Sequence, residues 1–465
     1  MRRIILLLVC GVLGGCMMGP DYKRPDIALP SGGPDKQFST FTASNWWAVF
    51  GDPVLDALEQ QALAYNQDLR AAMARVDEAR ADVNLARADQ MPSISAGFQS
   101  GRQGDKTGSG QSTSQAEVSA SFELDLWGKY RRLSQAARAK LLASQAARDT
   151  VRLTLTADVA NQYFTLRMLD KQLEILQRTL QAREENVRIY TARYNAGYCT
   201  EVDLRRVQAD KDSVQAQMQQ LSLQQEQTET ALSVLLGESP REMITQHIPR
   251  GKTLGEFNLV PDVPADLPSD LLQRRPDVRE AEEQLIAANA DIGAARASYF
   301  PDITLTGAAG FASDALSSLF TGGAGVWNIA GEALAPIFEG GKIRAQNKKA
   351  EAVYREQLAD YTKTVETAFK EAYDALSANR IDRDIFDSYL AQTQAMQRSY
   401  ELTKKQEDAG LIGVTDLLDV EENLLSAEMN LSTARKNELS AVVNLCKALG
   451  GGWTQKRNLV NDGFR

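Results

Sequence analysis

Asn195-Ala196-Gly197-Tyr198-Cys199-Thr200-Glu201-Val202-Asp203-Leu204 returns later in the chain as Asp408-Ala409-Gly410-Leu411-Ile412-Gly413-Val414-Thr415-Asp416-Leu417. In each copy a helical tract runs into the motif and a second one leaves it, stopping at Leu236-Gly237 and at Leu449-Gly450. The spacing is 213 residues at Gly197/Gly410, Asp203/Asp416 and Gly237/Gly450. Further upstream, Ala86-Arg87 and Pro92-Ser93-Ile94 recur as Ala295-Arg296 and Pro301-Asp302-Ile303, at a spacing of 209. A fixed period of this kind decides the architecture and is read before any single element.

Working outward, the tracts that enter the motif run from about Lys129 to Tyr194 and from about Lys342 to Glu407, with no internal proline or glycine. At ~1.5 Å per residue, a continuous helix of that length reaches on the order of 100 Å. Leu166, Leu169, Leu173, Leu176 and Leu180 follow 3-4-3-4 spacing, continued at Val187, Tyr190 and Tyr194. That spacing predicts a coiled-coil seam rather than an ordinary bundle helix. Gly197, Gly410 and Gly413 predict the turns at the hairpin tips. Helices over Val202–Leu236 and Val414–Leu449 then return antiparallel, as short connections require. A further helix is expected from Val54 to about Gln90, closed by Pro92.

Between these tracts the period falls from about 3.6 to 2. Val118, Ala120, Phe122, Leu124 and Leu126 alternate with Ser119, Ser121, Glu123 and Asp125. A strand with one apolar and one polar face lies between two different surroundings. Ser93–Gly101 pairs with it across a Gly/Ser/Thr-rich loop to give one hairpin. The second copy repeats it: Ile303, Leu305 and Phe311 alternate with polar residues, and Val326-Trp327-Asn328-Ile329 leads on to Pro336-Ile337-Phe338. The growth of the spacing from 209 to 213 makes the second hairpin four residues longer, with the insertion in its loop.

The N-terminus reads as a targeting segment: Arg2-Arg3, an apolar run from Ile4 to Val12, then Leu13-Gly14-Gly15 before Cys16. It resembles a bacterial lipoprotein signal, which implies lipidation at Cys16, and Met17 behind it favours the outer membrane. Without Arg2 and Arg3 the balance is 50 basic against 61 acidic residues, a net charge of −11. That argues against nucleic acid and against a polybasic lipid-binding surface. The two remaining thiols, Cys199 and Cys446, are not a disulfide framework. No stretch after residue 16 approaches the ~18 apolar residues of a spanning helix, so strands must do any spanning. The chain thus divides into a signal (1–15), an extended arm (16–53), a first repeat (54–237, hairpin at about 93–127), a Pro-rich link (238–268), a second repeat (269–450, hairpin at about 302–338) and a tail (451–465). A spanning sheet must close on itself, and the smallest spanning barrels have about eight strands. Four strands per chain therefore need at least two chains, and three give twelve.

Leu271-Leu272-Gln273-Arg274-Arg275-Pro276-Asp277, Ile292-Gly293-Ala294-Ala295-Arg296-Ala297 and Phe300-Pro301-Asp302-Ile303-Thr304-Leu305-Thr306 resemble the signature of TolC-type outer membrane factors. The likeness is strongest to the lipoprotein branch serving RND-type efflux pumps. Phe122-Glu123-Leu124-Asp125-Leu126-Trp127-Gly128 and the Leu445–Trp453 ending match the same branch, so essentially the whole mature chain is covered. The resemblance implies a mainly α fold of two tandem repeats. It implies a homotrimer with a twelve-stranded β-barrel in the outer membrane, continued by a periplasmic α-helical barrel and ringed by an equatorial belt. Its implied partners are a periplasmic adaptor and an inner-membrane RND-type pump. The implied function is a passive exit duct for small molecules such as drugs, toxic compounds or metals. A type I protein secretion duct shares this fold, and a structural periplasmic coiled-coil lipoprotein would share the helices.

Bond chemistry has little to stand on. His247 is the only histidine, in a Pro-rich link without a nucleophile signature, and no phosphate-binding Gly loop appears. No cofactor or metal is expected, and no enzyme. Asp416 and Asp419 stand apart by position, at i, i+3 on one helix face just past the second tip. Rings of such carboxylates attract cations at a constriction, and carboxylates at a helix N-terminus are also favoured by its dipole. The resemblance places a periplasmic gate here. In the first copy Asp203 matches Asp416, but Arg206, beside Arg205, matches Asp419. Pairing of the second-tip aspartates with Arg205 or Arg206 of a neighbouring hairpin would hold the tip shut. One class of lipid anchor gives only modest membrane affinity, so Cys16→Ser is expected to leave inserted oligomer in membrane fractions; recovery of soluble protein alone would contradict a barrel-driven insertion.

Overall fold

A computed structural model describes residues 17–27, 45–104, 110–257 and 274–451. The signal, Cys16 and the tail from 452 lie outside them. The chain divides into two compact units. One holds Met73–Ala147 and Arg279–Thr364 with the N-terminal residues; the other holds most of the rest.

The first unit is built on a four-stranded antiparallel sheet in the order β1 (Ser93–Gly104), β2 (Gly110–Glu123), β3 (Asp302–Ser313), β4 (Gly325–Leu334). The register keeps like with like. Ile94 faces Ala120 and Ala96 faces Val118, while Ser95 faces Ser119 and Gln99 faces Gln115. The alternation continues across the middle of the sheet, with Phe122 opposite Leu305 and Glu123 opposite Thr304. One face is therefore mainly apolar from edge to edge, and the other is polar on β1 and β2 and mixed on β3 and β4. A one-residue slip anywhere would exchange them. β4 ends at Leu334, so the expected strand does not reach Ile337 and Phe338, which are almost fully exposed.

Trp127, after β2, donates its indole N–H to Pro301 O at 2.8 Å and stacks on Phe300 with ring centres 4.7 Å apart. Lys129, opening the next helix, lies 3.1 Å from Glu123 and 3.4 Å from Asp302. Met18 donates its N–H to Trp127 O, and the buried Arg132 donates to the carbonyls of Met18 and Gly19. The segment fits only because Gly19 faces Gly293: a Cβ on Gly19 would lie 2.5 Å from Gly293 Cα, and one on Gly293 would lie 2.5 Å from Met18 O. Residues 17–20 are thus fixed at the foot of the strands.

The helices passing through the units are α1 (Pro53–Tyr65), α2 (Gln67–Ala88), α3 (Lys129–Asn195), α4 (Glu201–Leu236), a short α5 (Pro240–Thr245), α6 (Pro276–Ala297), α7 (Lys342–Asp408) and α8 (Val414–Ala448). α3 and α7 are 67 residues each and unbroken. None among the described residues is long and apolar enough to cross a membrane. The expected single helix from Val54 to Gln90 is interrupted at Asn66. Its side chain accepts from Leu69 N–H and donates to Leu235 O, capping α2 and fastening it to the end of α4.

The core of the second unit is aromatic. Phe50 lies 4.8 Å from Phe164, and Phe164 lies 5.2 Å from Phe257, with Trp46 and Trp47 buried beside them. Asp52, 1 % exposed, caps α1 through Val54 N–H and accepts from Tyr163 hydroxyl at 2.7 Å and Lys252 N–H at 3.1 Å. The arm and the link are thereby joined on α3. Arg275, of the Arg-Arg-Pro-Asp signature, binds Asp277, Glu371 and Ala448 O.

One group contradicts its surroundings. Glu59 on α1 is 0 % exposed, and neither of its carboxylate oxygens has a hydrogen-bond partner. Burial, and then the charge of Asp56, push its carboxyl well above the usual carboxylate range. A raised folded-state pKa means that the fold favours the protonated form. Its contribution is full below the ordinary carboxylate pKa and is lost as pH rises through the folded one. Glu59→Gln is therefore expected to stabilise the protein at neutral pH by about 1–3 kcal/mol, with the gain shrinking in acid. Thermal unfolding across pH reads this, and a destabilised variant at neutral pH would refute it.

A candidate gate at the helical tips

The two tips use different chemistry at corresponding positions. Gly197 (φ 77°) and Gly410 (φ 70°) both turn in the left-handed region that favours glycine. Tyr198 N–H then donates to Arg193 O, and Leu411 N–H to Gln406 O. After that the copies diverge. Thr200 caps α4 in a reciprocal box: Asp203 accepts from Thr200 N–H at 2.9 Å and from its hydroxyl at 2.7 Å, while Asp203 N–H returns a bond to Thr200 Oγ1. The equivalent of Thr200 is Gly413, which caps α8 with extended backbone (φ −83°) and no side chain. Asp203 is consumed by its cap, and the Thr200 hydroxyl and N–H hold its carboxyl below the usual range. Asp416 has no such partner and projects into solvent.

Packing turns Asp416 and Asp419 outward. Val414 and Leu418 bury against Tyr190, Leu204 and Val207, so the opposite face of α8 is exposed. The structure brings Arg206 and Asp419 together at 3.6 Å, and Arg206 also donates to Thr415 Oγ1. The pairing foreseen from sequence thus occurs between the two tips of one chain. Arg205 takes no part; it pairs with Glu201 one turn back on α4. Arg206 and Asp419 are 49 % and 62 % exposed, so this contact contributes at most about 1 kcal/mol. A second tie joins α3 to α7: Tyr190 hydroxyl and Arg193 both donate to Glu407, at 3.2 and 3.0 Å. Burial, aided by Glu407, raises the Tyr190 phenol to about 12.

Sequence reasoning missed the charged cluster behind the tips. Arg183 on α3 is fully buried, with Nε 2.5 Å from Asp210 on α4 and Nη1 against Glu421 on α8. These are charge contacts rather than aligned hydrogen bonds, since none of the four atoms has hydrogen-bonding geometry. A cavity of about 220 Å³ lies beside them, lined by Arg178, Gln397, Tyr400 and Glu428 among others. Arg178 pairs with Glu428 at its rim. The run Gln181-Ala182-Arg183-Glu184-Glu185 reads as an ordinary solvated face. One signal was available: the repeat places Met396 at the position of Arg183, so this site is apolar in the other copy.

A sheet with two different faces and two open edges, joined to paired helical hairpins in duplicate, defines the subunit of an outer membrane channel. The chain belongs to the outer membrane efflux protein family, whose profile matches residues 58–238 and 267–451. It is 34% identical over 472 residues to the toluene efflux pump outer membrane protein TtgC of Pseudomonas putida, covering 98% of this chain and 96% of that one. It is 31% identical over 474 residues to the probable outer membrane lipoprotein SilC of Salmonella typhimurium, covering 97% and 99%. Among solved structures, the CmeC outer membrane channel of Campylobacter jejuni superimposes with a TM-score of 0.89 at 27% identity, over 95% of this chain and 96% of that chain.

Removing one partner of a buried ion cluster leaves the others uncompensated and costs about 3–5 kcal/mol. Arg183→Met is expected to lose stability of that order in thermal unfolding of the detergent-solubilised protein. A loss under about 1 kcal/mol would show the cluster to be solvated instead.

Proposed function

We propose that three copies of this chain form the passive exit duct of a tripartite efflux pump, carrying small toxic molecules across the outer membrane. The observation that carries this reading is the sheet, with one mainly apolar face, one more polar face and two edge strands unpaired among the described residues; in the duct the polar face lines the lumen and the apolar face meets lipid. The names of the relatives support efflux over protein secretion and over a purely structural lipoprotein. A periplasmic adaptor and an inner-membrane pump are the expected partners, with lipidation at Cys16 as an added anchor. The duct itself performs no bond chemistry.

In this reading Asp416 and Asp419 form the periplasmic gate. Three copies contribute six carboxylates around the axis, a ring that concentrates cations. Arg206 restrains Asp419 within each chain, while Asp416 stands free. An adaptor that competes for these exposed charges faces weak contacts at the tip and stronger ones behind it. The test is conductance of the purified oligomer in planar bilayers. Asp416→Ala/Asp419→Ala is expected to raise conductance and reduce cation preference, and if both stay unchanged the gate lies elsewhere.

A further inference from the structure

The start of the mature chain has a seat of its own, and this inference rests on the lipidation of Cys16 proposed above. Residues 18–24 are tied to α3 and α6 at almost every step. Arg132 Nε donates to Met18 O at 2.9 Å, and its Nη2 donates to Gly19 O and to Asp21. Asn289 Nδ2 donates to Pro20 O at 2.9 Å. Tyr22 hydroxyl and Arg24 both donate to Glu282, the arginine through two bonds of 2.7 and 2.6 Å. Arg132 is 1 % exposed, and its guanidinium is committed to this segment and to Gln135.

The repeat shows that the seat exists once per chain. A spacing of 213 puts Gly340 at the place of Trp127 and Ala345 at that of Arg132, and a spacing of 209 puts Asn84 at that of Gly293. α7 follows the edge strand β4 and α2 precedes the edge strand β1. Beside the edge strands, then, the chain has neither the guanidinium nor the bare backbone that residues 18–24 use.

The seat opens under the middle of the sheet. Met18 N–H donates to Trp127 O at 3.1 Å, just after β2, and the Trp127 indole bonds Pro301 O, just before β3. Met17 lies against Gly128, where a Cβ would be 2.9 Å from Met17 Cγ. Cys16 is one peptide further on, with its Cα ~3.8 Å from that of Met17. Of the two faces above this point, only the mainly apolar one accepts acyl chains. Phe122 faces Leu305 at its foot, followed by Ala120 opposite Gly307 and Val118 opposite Ala309. Half of a ~30 Å hydrocarbon layer is ~15 Å, which four strand residues span at ~3.4 Å each. We propose that the apolar side of the β2–β3 seam, from Phe122 and Leu305 to Val118 and Ala309, is the binding surface for the acyl chains carried on Cys16, with Arg132 as the positioning residue. The chains then cover the middle of the sheet and leave both edge strands clear.

Photo-cross-linking in the full-length protein tests the seat. Cells supplied with a palmitate analogue bearing a diazirine acylate Cys16 with it. After irradiation, the peptides joined to the acylated N-terminal peptide are mapped by mass spectrometry. Strands lie ~4.8 Å apart and a carbene reacts only on contact, so links to β2 and β3 are expected to outnumber those to β1 and β4 roughly fivefold. Arg132→Met is expected to erase that excess. Gly293→Ala, whose new Cβ would strike Met18 O, is expected to do the same should the first variant fail to fold. Links chiefly to β1 or β4, links to no strand, or an excess that survives both variants overturns the seat while Cys16 is still acylated. An N-terminal peptide without acyl mass overturns the lipidation reading, and the seat with it.

Discussion

Unpaired backbone at the two edges of the sheet is the constraint on which the rest depends. β1 and β4 each present a row of peptide groups that no strand among the described residues pairs. In hydrocarbon, each such group costs several kcal/mol. Even a few of them exceed the roughly 5–15 kcal/mol by which a folded protein is stable. Closure with other copies is therefore a condition of the sheet's existence in a membrane. The same condition explains why apolar residues face apolar ones along one side of the sheet, as Ile94 faces Ala120 and Phe122 faces Leu305. A closed sheet has an inside and an outside, and each residue must be committed to one of them.

Duplication supplied the frame twice, and divergence gave the copies different work. At the tips one residue decides. Thr200 engages Asp203 and makes it a structural carboxylate. Gly413 has no side chain to engage one, so Asp416 stays exposed at the same position of the repeat. At the strand foot the contrast runs the other way. The joint inside the chain has gained Trp127 and a paired lysine, while its counterpart has two glycines, Gly340 and Gly341.

Periodic features were readable in the sequence because periodicity states which face is buried. The 67-residue helices, the tip glycines and the alternating strands follow from spacing alone. Partners do not. The break at Asn66 depends on a carbonyl at Leu235, 169 residues away. Gly293 stands in a motif visible in the sequence, yet its reason is the close approach of Gly19. The Arg206–Asp419 contact could be guessed because the repeat mismatch put opposite charges at equivalent positions. Arg183 could not be guessed from its own helix, whose neighbours are as polar as it is; only the methionine in the other copy marks it.

Comparing the two charged sites says where the tips are held. The exposed Arg206–Asp419 pair is long and solvated, and contacts of that kind contribute between nothing and about 1 kcal/mol. Arg183 is different: burial lowers its pKa, and Asp210 opposes that shift. It touches α4 and α8 at once, so neither helix can leave α3 without stranding a charge. The apolar cluster of Tyr190, Leu204, Val207, Val414 and Leu418 adds to the same bond between the hairpins. Within one chain, then, the tips are easy to perturb at the surface and hard to separate below it. Binding at the exposed carboxylates can re-aim their side chains at little cost. Moving the helices apart requires breaking the Arg183 cluster, which makes the pair of hairpins a single mechanical element down to the level of that arginine.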